Sequence, residues 1–554
     1  MTTSSKNCYG IPVKTLLDRT EKEKAMLLSK DLVSAYNVMW ECTWDQFKKQ
    51  NKTNLAKFWA DSKLDPKRPL IRLVPRCSVR GGLVEVYQLF AEATEAKQLQ
   101  FFDHNSMYSY ISKHMKFPLG EYQIVLEAEL QQHLTIQNNQ ILYKNETCEC
   151  DIAHVSVLAP RHLKAPFLAY RLNDQVFYSN CMACLKLKIC GRCIHKCNSK
   201  RRFTSTWTVL ELNYALELGY QIEYFYELYH YSKSAFVLSD FIDVIQSLKL
   251  KNTDLMDTLS TTEQNQICDS INTTMNFKHP ALRLSPTSVT PNHAQKQFFK
   301  DILNSLFGRF ALHSQHSNRV FLKSQHELNA LFATKDLEVL EFFPVNNTTI
   351  EAEILKTSSP YTSREGNLIF TALINAGARI YMHRLIQTLE TEGCSVLYVD
   401  TDSILFTSSR DYTLPFAVGV CPGQFKAVLG PNVEIKKFYC LGPRNYCLLF
   451  EKDGVTQYIT KIKGINSTSQ NLKDAITPAT YETFLKSYFN DQVQQVYIPQ
   501  MRRKVEPQTK SFKNVLLTQK FSNELHLKRF ILTKAKTNIF KTYPYGYNMS
   551  NMSE

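Results

Sequence analysis

Cys394–Thr407 reads CSVLYVDTDSILFT, two apolar, β-prone runs joined at Asp400-Thr401-Asp402. The pattern predicts a β-hairpin with two carboxylates at its tip. Unpaired charge among apolar neighbours is costly, so something positive is expected beside these acids. A divalent cation meets that need, because hard Mg²⁺ takes carboxylate oxygens and substrate phosphates together. Seen alone, the same residues also suit an exposed turn, where Asp and Thr are ordinary.

Outward from the hairpin, a second acid occupies an equivalent place. In Gln98–Gly120, QLQFFDHNSMYSYISKHMKFPLG, an apolar strand delivers Asp103, and Ser106 opens a helix carrying Met107, Tyr108 and Tyr110. The first amides of that helix would face an anion such as phosphate. Tyr108 would stand beside it as a flat wall, although a place in the core is the commoner fate of a helical Tyr. In Gln295–Phe310, QKQFFKDILNSLFGRF, helical spacing gives Lys296, Lys300, Asn304, Phe307 and Gly308 a common face. Such a stripe can hold a triphosphate and stack on a base. The two lysines by themselves fit a solvated helix surface better.

Asp103-x-x-Ser106-Met107-Tyr108, Lys300-x-x-x-Asn304-Ser305-x-Phe307-Gly308 and Tyr398-x-Asp400-Thr401-Asp402-Ser403 follow one another in that order. Together they resemble the A, B and C signatures of family B DNA polymerases. The resemblance is closer to the protein-primed branch, and within it to polymerases of Polinton/Maverick elements and related viruses. Tyr36–Trp44 (YNVMWECTW) is similar to a stretch preceding the signatures there, and Val79-Arg80-Gly81-Gly82 resembles a template-contacting YxGG loop, with Ser78-Val79 in place of the aromatic. Gly442-Pro443-Arg444-Asn445-Tyr446 resembles the KxY element with Arg for Lys, and Lys461-Ile462-Lys463-Gly464 resembles a basic element facing primer or template. Thr204–Tyr220 resembles part of the insertion that serves a terminal protein, and Pro544-Tyr545-Gly546-Tyr547 the usual close of such chains.

The resemblance implies an α/β (α+β) right-hand fold with an antiparallel palm sheet, helical fingers, a thumb and two branch-specific insertions. On this scheme 1–98 precede the palm, 99–120 and 369–470 form it, and 121–290 and 313–368 are the insertions. Residues 291–312 are fingers and 471–554 the thumb. Asp103 and Asp402 would bind two Mg²⁺ ions, with Asp400 supporting them from the same hairpin. Lys300 would neutralise the triphosphate, assisted by Lys296. Ser106, Met107, Tyr108, Asn304, Phe307 and Gly308 would shape the nucleotide pocket. Tyr108 would reject ribonucleotides, and Phe307 replaces the usual Tyr. Gly81, Gly82, Arg444, Tyr446, Lys461 and Lys463 would line the DNA. The implied partners are primer–template DNA, dNTPs and a terminal protein primer.

Residues 1–98 show none of the DxE-type acids of a 3′–5′ exonuclease, so no proofreading is expected. A natural short form, a decayed element copy and a fragment all fit that gap. A catalytically inactive fragment, or a domesticated DNA-binding remnant, is the alternative function. A nucleotide-sugar glycosyltransferase would account for Asp400-Thr401-Asp402 but not for Asp103 or the Lys300 helix.

Cys181-x-x-Cys184, Cys190-x-x-Cys193, His195 and Cys197 fall within one short stretch. Two CxxC pairs can present four thiolates to a tetrahedral metal, so structural zinc on Cys181, Cys184, Cys190 and Cys193 is expected, with Cys197 or His195 as substitutes. A small apolar cluster of free thiols is the plainer alternative, and Cys148 and Cys150 are read that way.

Of 554 residues 44% are hydrophobic, and 66 Lys+Arg against 51 Asp+Glu give +15, a balance that favours a polyanionic partner. No run approaches the ~20 apolar residues of a membrane span, and Met1–Gly10 lacks signal-peptide character. The expectation is a soluble intracellular protein with reduced thiols, acting in a eukaryotic nucleus and making no membrane contact. Lys200-Arg201-Arg202, Arg502-Arg503-Lys504 and Lys528-Arg529 are candidates for tracking phosphates.

Overall fold

The computed structural model describes residues 73–554 apart from 255–258, 312–316, 335–336, 347–348, 357–366, 466–473, 491, 506–511, 526, 532–539 and 549–554. The Tyr36–Trp44 stretch lies outside the described residues.

The central sheet contains β1 (Val84–Val86), β2 (Phe90–Glu92), β3 (Lys97–His104), β4 (Ser395–Asp400), β5 (Ser403–Ser409), β6 (Phe425–Ala427), β7 (Val433–Gly442), β8 (Asn445–Lys452) and β9 (Val455–Lys461). Its order is β1-β4-β5-β3-β7-β8-β9, with β2 on β7 and β6 on β3, antiparallel throughout. Successive side chains of a strand point to opposite faces, and here both faces are covered. Phe101, Leu397 and Leu405 enter one core with Phe438, Tyr446 and Leu448. Their neighbours Phe102, Val396, Ile404 and Phe406 enter another with Met107, Met382 and Ile386. The continuous apolar runs of β4 and β5 follow from this double burial.

Four helices frame the sheet's active edge: α1 (Met107–His114), α2 (Ser239–Lys251), α3 (His293–Arg309) and α4 (Leu368–Thr391). The Asn367 side chain caps α4 by accepting from the Ile369 amide at 3.2 Å. Met382, Ile386 and Leu389 on α4 sit against the sheet. A Cβ at Gly377 would lie 2.7 Å from Ile111 Cγ2, so the glycine lets α1 come close to α4.

The sheet begins earlier than the motif pattern suggests. Residues 84–92 supply two of its strands, although the sequence places them ahead of the palm; three-residue strands are too short to display a period. Helix α2, inside the long first insertion by sequence, packs along α3. The rest of that insertion contributes a four-stranded sheet in the order Phe203–Thr208, Ile152–Leu158, Gln221–His230, Gln123–Leu126. The expected β-rich second insertion contains a three-stranded sheet of Ser317–Leu322, Thr349–Lys356 and Leu337–Asn346. Further on, Pro478–Phe489 packs Tyr481, Phe484 and Leu485 onto the central core, and Gln495–Val505 pairs with Phe512–Ser522.

Candidate active site

Register brings the acids together. Val84 pairs with Asp400, Asp400 with Ser403, Ser403 with Asp103, and Asp103 with Lys426, making one row across β1, β4, β5, β3 and β6. Asp402 lies beside that row at the hairpin tip. Thr401 takes φ 63°, and the Asp402 amide donates to the Asp400 carbonyl at 2.8 Å, closing a γ-type turn. Left-handed backbone at a β-branched residue costs on the order of 1–3 kcal/mol. Two outside bonds hold it: Thr401 N–H donates to Leu83 O, and His104 N–H donates to Asp402 O, each at 2.8 Å.

The three carboxylates differ in their partners. Asp400 is buried and receives Arg444 Nε at 3.1 and 3.2 Å and Nη2 at 3.1 Å, with the Tyr398 hydroxyl at 3.3 Å. Asp103 pairs with Lys426 Nζ at 3.0 Å. Asp402 accepts from the Thr401 hydroxyl at 2.8 Å and has no cation against it among the described residues. Burial raises its pKa and repulsion from Asp103 and Asp400 adds to the rise, which the Thr401 hydroxyl partly offsets. A carboxylate so placed, next to Asp103, is a donor set suited to a hard divalent cation.

Above the acids sits a basic and aromatic wall. Ser106 opens α1 at φ 53° with no side-chain cap on the first amides, and its hydroxyl accepts from Lys249 Nζ at 2.9 Å. Burial lowers the Lys249 pKa to about 8, helped by Lys300, Lys426 and Lys296. Lys300 is exposed, whereas Lys296 is paired with Asp254 at 2.9 Å. Tyr108 and Phe307 stack with centroids 4.5 Å apart and planes 13° apart. A Cβ at Gly82 would come 2.7 Å from the Tyr108 hydroxyl and 2.8 Å from Thr401 Cγ2, so the glycine lets the loop, tyrosine and hairpin converge. Burial, with Asp402 and Asp400 nearby, pushes the Tyr108 phenol up to about 12.

The other expected residues differ in their surroundings. Met107 is buried in the core beneath the site and offers the pocket only its backbone. Asn304 and Gly308 are exposed on α3, and Gly81 has open space around it. Arg444, expected along DNA, is spent on Asp400, because its own left-handed turn (φ 63°) aims it inward and its amide donates to Tyr398 Oη at 3.0 Å. The Tyr446 ring is 5% exposed and packs on Tyr398 and Phe101, so it underlies the site and does not line a channel. Lys461 and Lys463 are exposed.

Of the basic runs, Arg201 is buried and donates to Ala159 O at 2.7 Å, and Arg202 pairs with Glu223. Arg529 is buried against Thr542 and Lys164 O, leaving Lys200 exposed. The side chains of Arg502, Arg503 and Lys504 lie outside the described residues.

Sequence patterns did not single out Lys249, Lys426 or Arg379. Lys249 shares the α2 face of Ile242, Ile245 and Gln246, and a lysine on an otherwise buried face is the signal that would have found it. Arg379, fully buried, donates to the Arg80 and Gly81 carbonyls at 2.6 and 2.7 Å and pairs with Glu211 at 2.7 Å. It fixes the loop that carries Gly82.

The cysteine stretch gathers a different quartet from the expected one. Cys181, Cys184, Cys193 and His195 place their donor atoms within 4.8 Å of one another. Cys190 and Cys197 are exposed and turn away, onto Lys188 O and the Ser199 hydroxyl. The second CxxC pair is split because only Cys193 reaches the buried side.

Residues 69–261 match the family described as DNA polymerase type B, organellar and viral. The matched part holds Asp103, Ser106, Tyr108, Lys249 and the cysteine quartet. A protein of Podospora anserina named "Probable DNA polymerase" is 25% identical over 290 residues, 47% of this chain. The chain spans 23% of the length of that curated relative. Phi29 DNA polymerase complexed with primer–template DNA and incoming nucleotide covers 87% of this chain and 66% of its own at 15% identity, with a TM-score of 0.49. The family B DNA polymerase of the archaeon Pyrobaculum calidifontis covers 88% of this chain and 45% of its own at 9% identity and a TM-score of 0.25.

Proposed function

We propose that the chain is a template-directed DNA polymerase that transfers deoxynucleotides from dNTPs to a primer 3′-hydroxyl. The observation that carries this is the palm-edge row: Asp103 beside Asp402, under the lysines of α2 and α3 and the Tyr108–Phe307 stack. Asp103 and Asp402 would hold the divalent metals. Bound there, Mg²⁺ would supply a lowered hydroxyl pKa and charge neutralisation for in-line phosphoryl transfer.

The chain's own groups supply the rest. Lys300 and Lys249 neutralise the triphosphate, while the uncapped amides of α1 offer it further donors. Lys249 Nζ, at about 8, is better matched than an ordinary lysine to give a proton to the departing pyrophosphate near neutral pH. Tyr108, backed by Phe307 and closed in by Gly82, forms the wall against the sugar and disfavours a 2′-hydroxyl. Arg444 pairs with Asp400 and fixes its position, so the hairpin keeps its shape. Lys461 and Lys463, both exposed, would meet DNA phosphates.

Priming from a protein hydroxyl, replication of a Polinton-like or viral element, and action in a nucleus extend the proposal along the sequence resemblance. The test is incorporation of single nucleotides onto a labelled primer annealed to four templates that differ in the first unpaired base. Templated addition of only the complementary dNTP supports the proposal. Addition independent of template, or none with bound primer–template, contradicts it.

A further inference from the structure

The quartet in the first insertion is independent of the polymerase site. Sγ of Cys184, Cys181 and Cys193 lie 3.3, 3.6 and 4.0 Å from one atom, Nδ1 of His195. With Zn–S near 2.3 Å and Zn–N near 2.0 Å, a tetrahedral ion separates its ligand atoms by about 3.5–3.8 Å, and the three sulfur–nitrogen separations bracket that spacing. Three thiols and an imidazole favour zinc over a hard cation. Cys181, Cys184 and Cys193 are buried, and no disulfide joins them.

One face of the quartet is covered by residues far along the chain. The Asn180 amide donates to Tyr545 O at 2.9 Å, and the Asn548 amide to Arg161 O at 2.9 Å. Arg161 in turn donates to His195 O at 2.8 Å. Gly546, at φ 88°, lies so close that a Cβ there would be 2.4 Å from Cys181 Cβ. Tyr543, Tyr545 and Tyr547 share a core with Cys181, Cys184 and Cys193. Just before them Thr542 donates to Val86 O at 2.5 Å and to Tyr87 O at 2.9 Å, and Val86 belongs to the strand whose Val84 pairs with Asp400.

We infer that Cys181, Cys184, Cys193 and His195 bind one structural zinc ion, and that the ion fixes the docking surface for residues 543–548. A bound metal draws the Cys181 loop and His195 into one rigid unit, against which Gly546 and Tyr545 are seated. The metal therefore braces, through Thr542, the strand at the edge of the palm. Four protein ligands leave no open position, so the ion takes no part in nucleotide chemistry.

The test uses the full chain. Metal analysis of the purified protein is expected to give one zinc per chain, and cobalt exchange the thiolate charge-transfer and tetrahedral d–d absorptions of a Cys₃His site. Cys193→Ser and His195→Ala lose the metal, while Cys190→Ser and Cys197→Ser keep it. Chelation of the wild type increases amide hydrogen exchange in residues 542–548 by tenfold or more. A metal-free protein that also gives no cobalt spectrum would overturn the site. Loss of metal in Cys190→Ser with retention in His195→Ala would overturn the ligand set, and unchanged exchange after chelation would overturn the docking role.

Discussion

Lys249 beside the Ser106 hydroxyl departs from the chemistry of an ordinary lysine. Its folded pKa, about 8, lies below the 10.5 of an ordinary lysine. Folding therefore carries the cost of a charged enclosed amine below about pH 8, and stability rises between 8 and 10.5, where the unfolded chain binds more protons. A bound triphosphate reverses the preference by favouring the ammonium. dNTP affinity is accordingly expected to be flat below pH 8 and to weaken by up to about tenfold per unit above it. Lys249→Met should abolish the slope, and nucleotide KM against pH measures both. Gly82 gives a second expectation. Its substitution by Ala places a methyl 2.7 Å from the Tyr108 hydroxyl and 2.8 Å from Thr401, so the stack or the turn must yield. Incorporation should fall by about tenfold or more with thermal stability lowered only modestly, of order 1–3 kcal/mol; wild-type incorporation by G82A would refute the convergence of loop and hairpin.

Among elements, the hairpin of β4 and β5 and the strand-to-helix unit of β3 and α1 were legible from sequence, because each joins an apolar run to an acid within a few residues. The α3 helix was legible for the same local reason, down to Phe307. The partners of these elements were not. Lys426 reaches Asp103 through sheet register, Lys249 reaches Ser106 through helix packing, and Arg379 reaches Gly81 across hundreds of residues. No local pattern records such meetings. Arg444 and Tyr446 were assigned to DNA because their side chains could not be oriented before the β7–β8 turn was seen. Cys190 was favoured over His195 because pair spacing was visible and burial was not. The Arg379–Glu211 pair ties α4 to the helix Val209–Glu217, is wholly buried, and leaves the other guanidinium nitrogen on the glycine-loop carbonyls. Removing one partner leaves a buried charge, so Arg379→Met should cost ~3–5 kcal/mol. A drop of several degrees in the thermal midpoint checks this, and an unchanged midpoint would contradict it.

At the scale of the whole molecule, one antiparallel sheet collects acids from distant parts of the chain. Helices from either side then deliver the cations and aromatic wall. No helix among the described residues is long and apolar enough to cross a membrane, and the net charge of +15 favours a polyanion. The central claim is that the Asp103–Asp402 edge performs nucleotidyl transfer. It is tested most directly by single-turnover extension of a labelled primer with Mg²⁺ and dNTPs, wild type beside Asp402→Ala, with primer–template binding measured in parallel. The account predicts extension by the wild type, loss of at least a thousandfold in the variant, and equal DNA binding by both. Extension at the wild-type rate by D402A, or DNA binding with no extension by either protein, would contradict it.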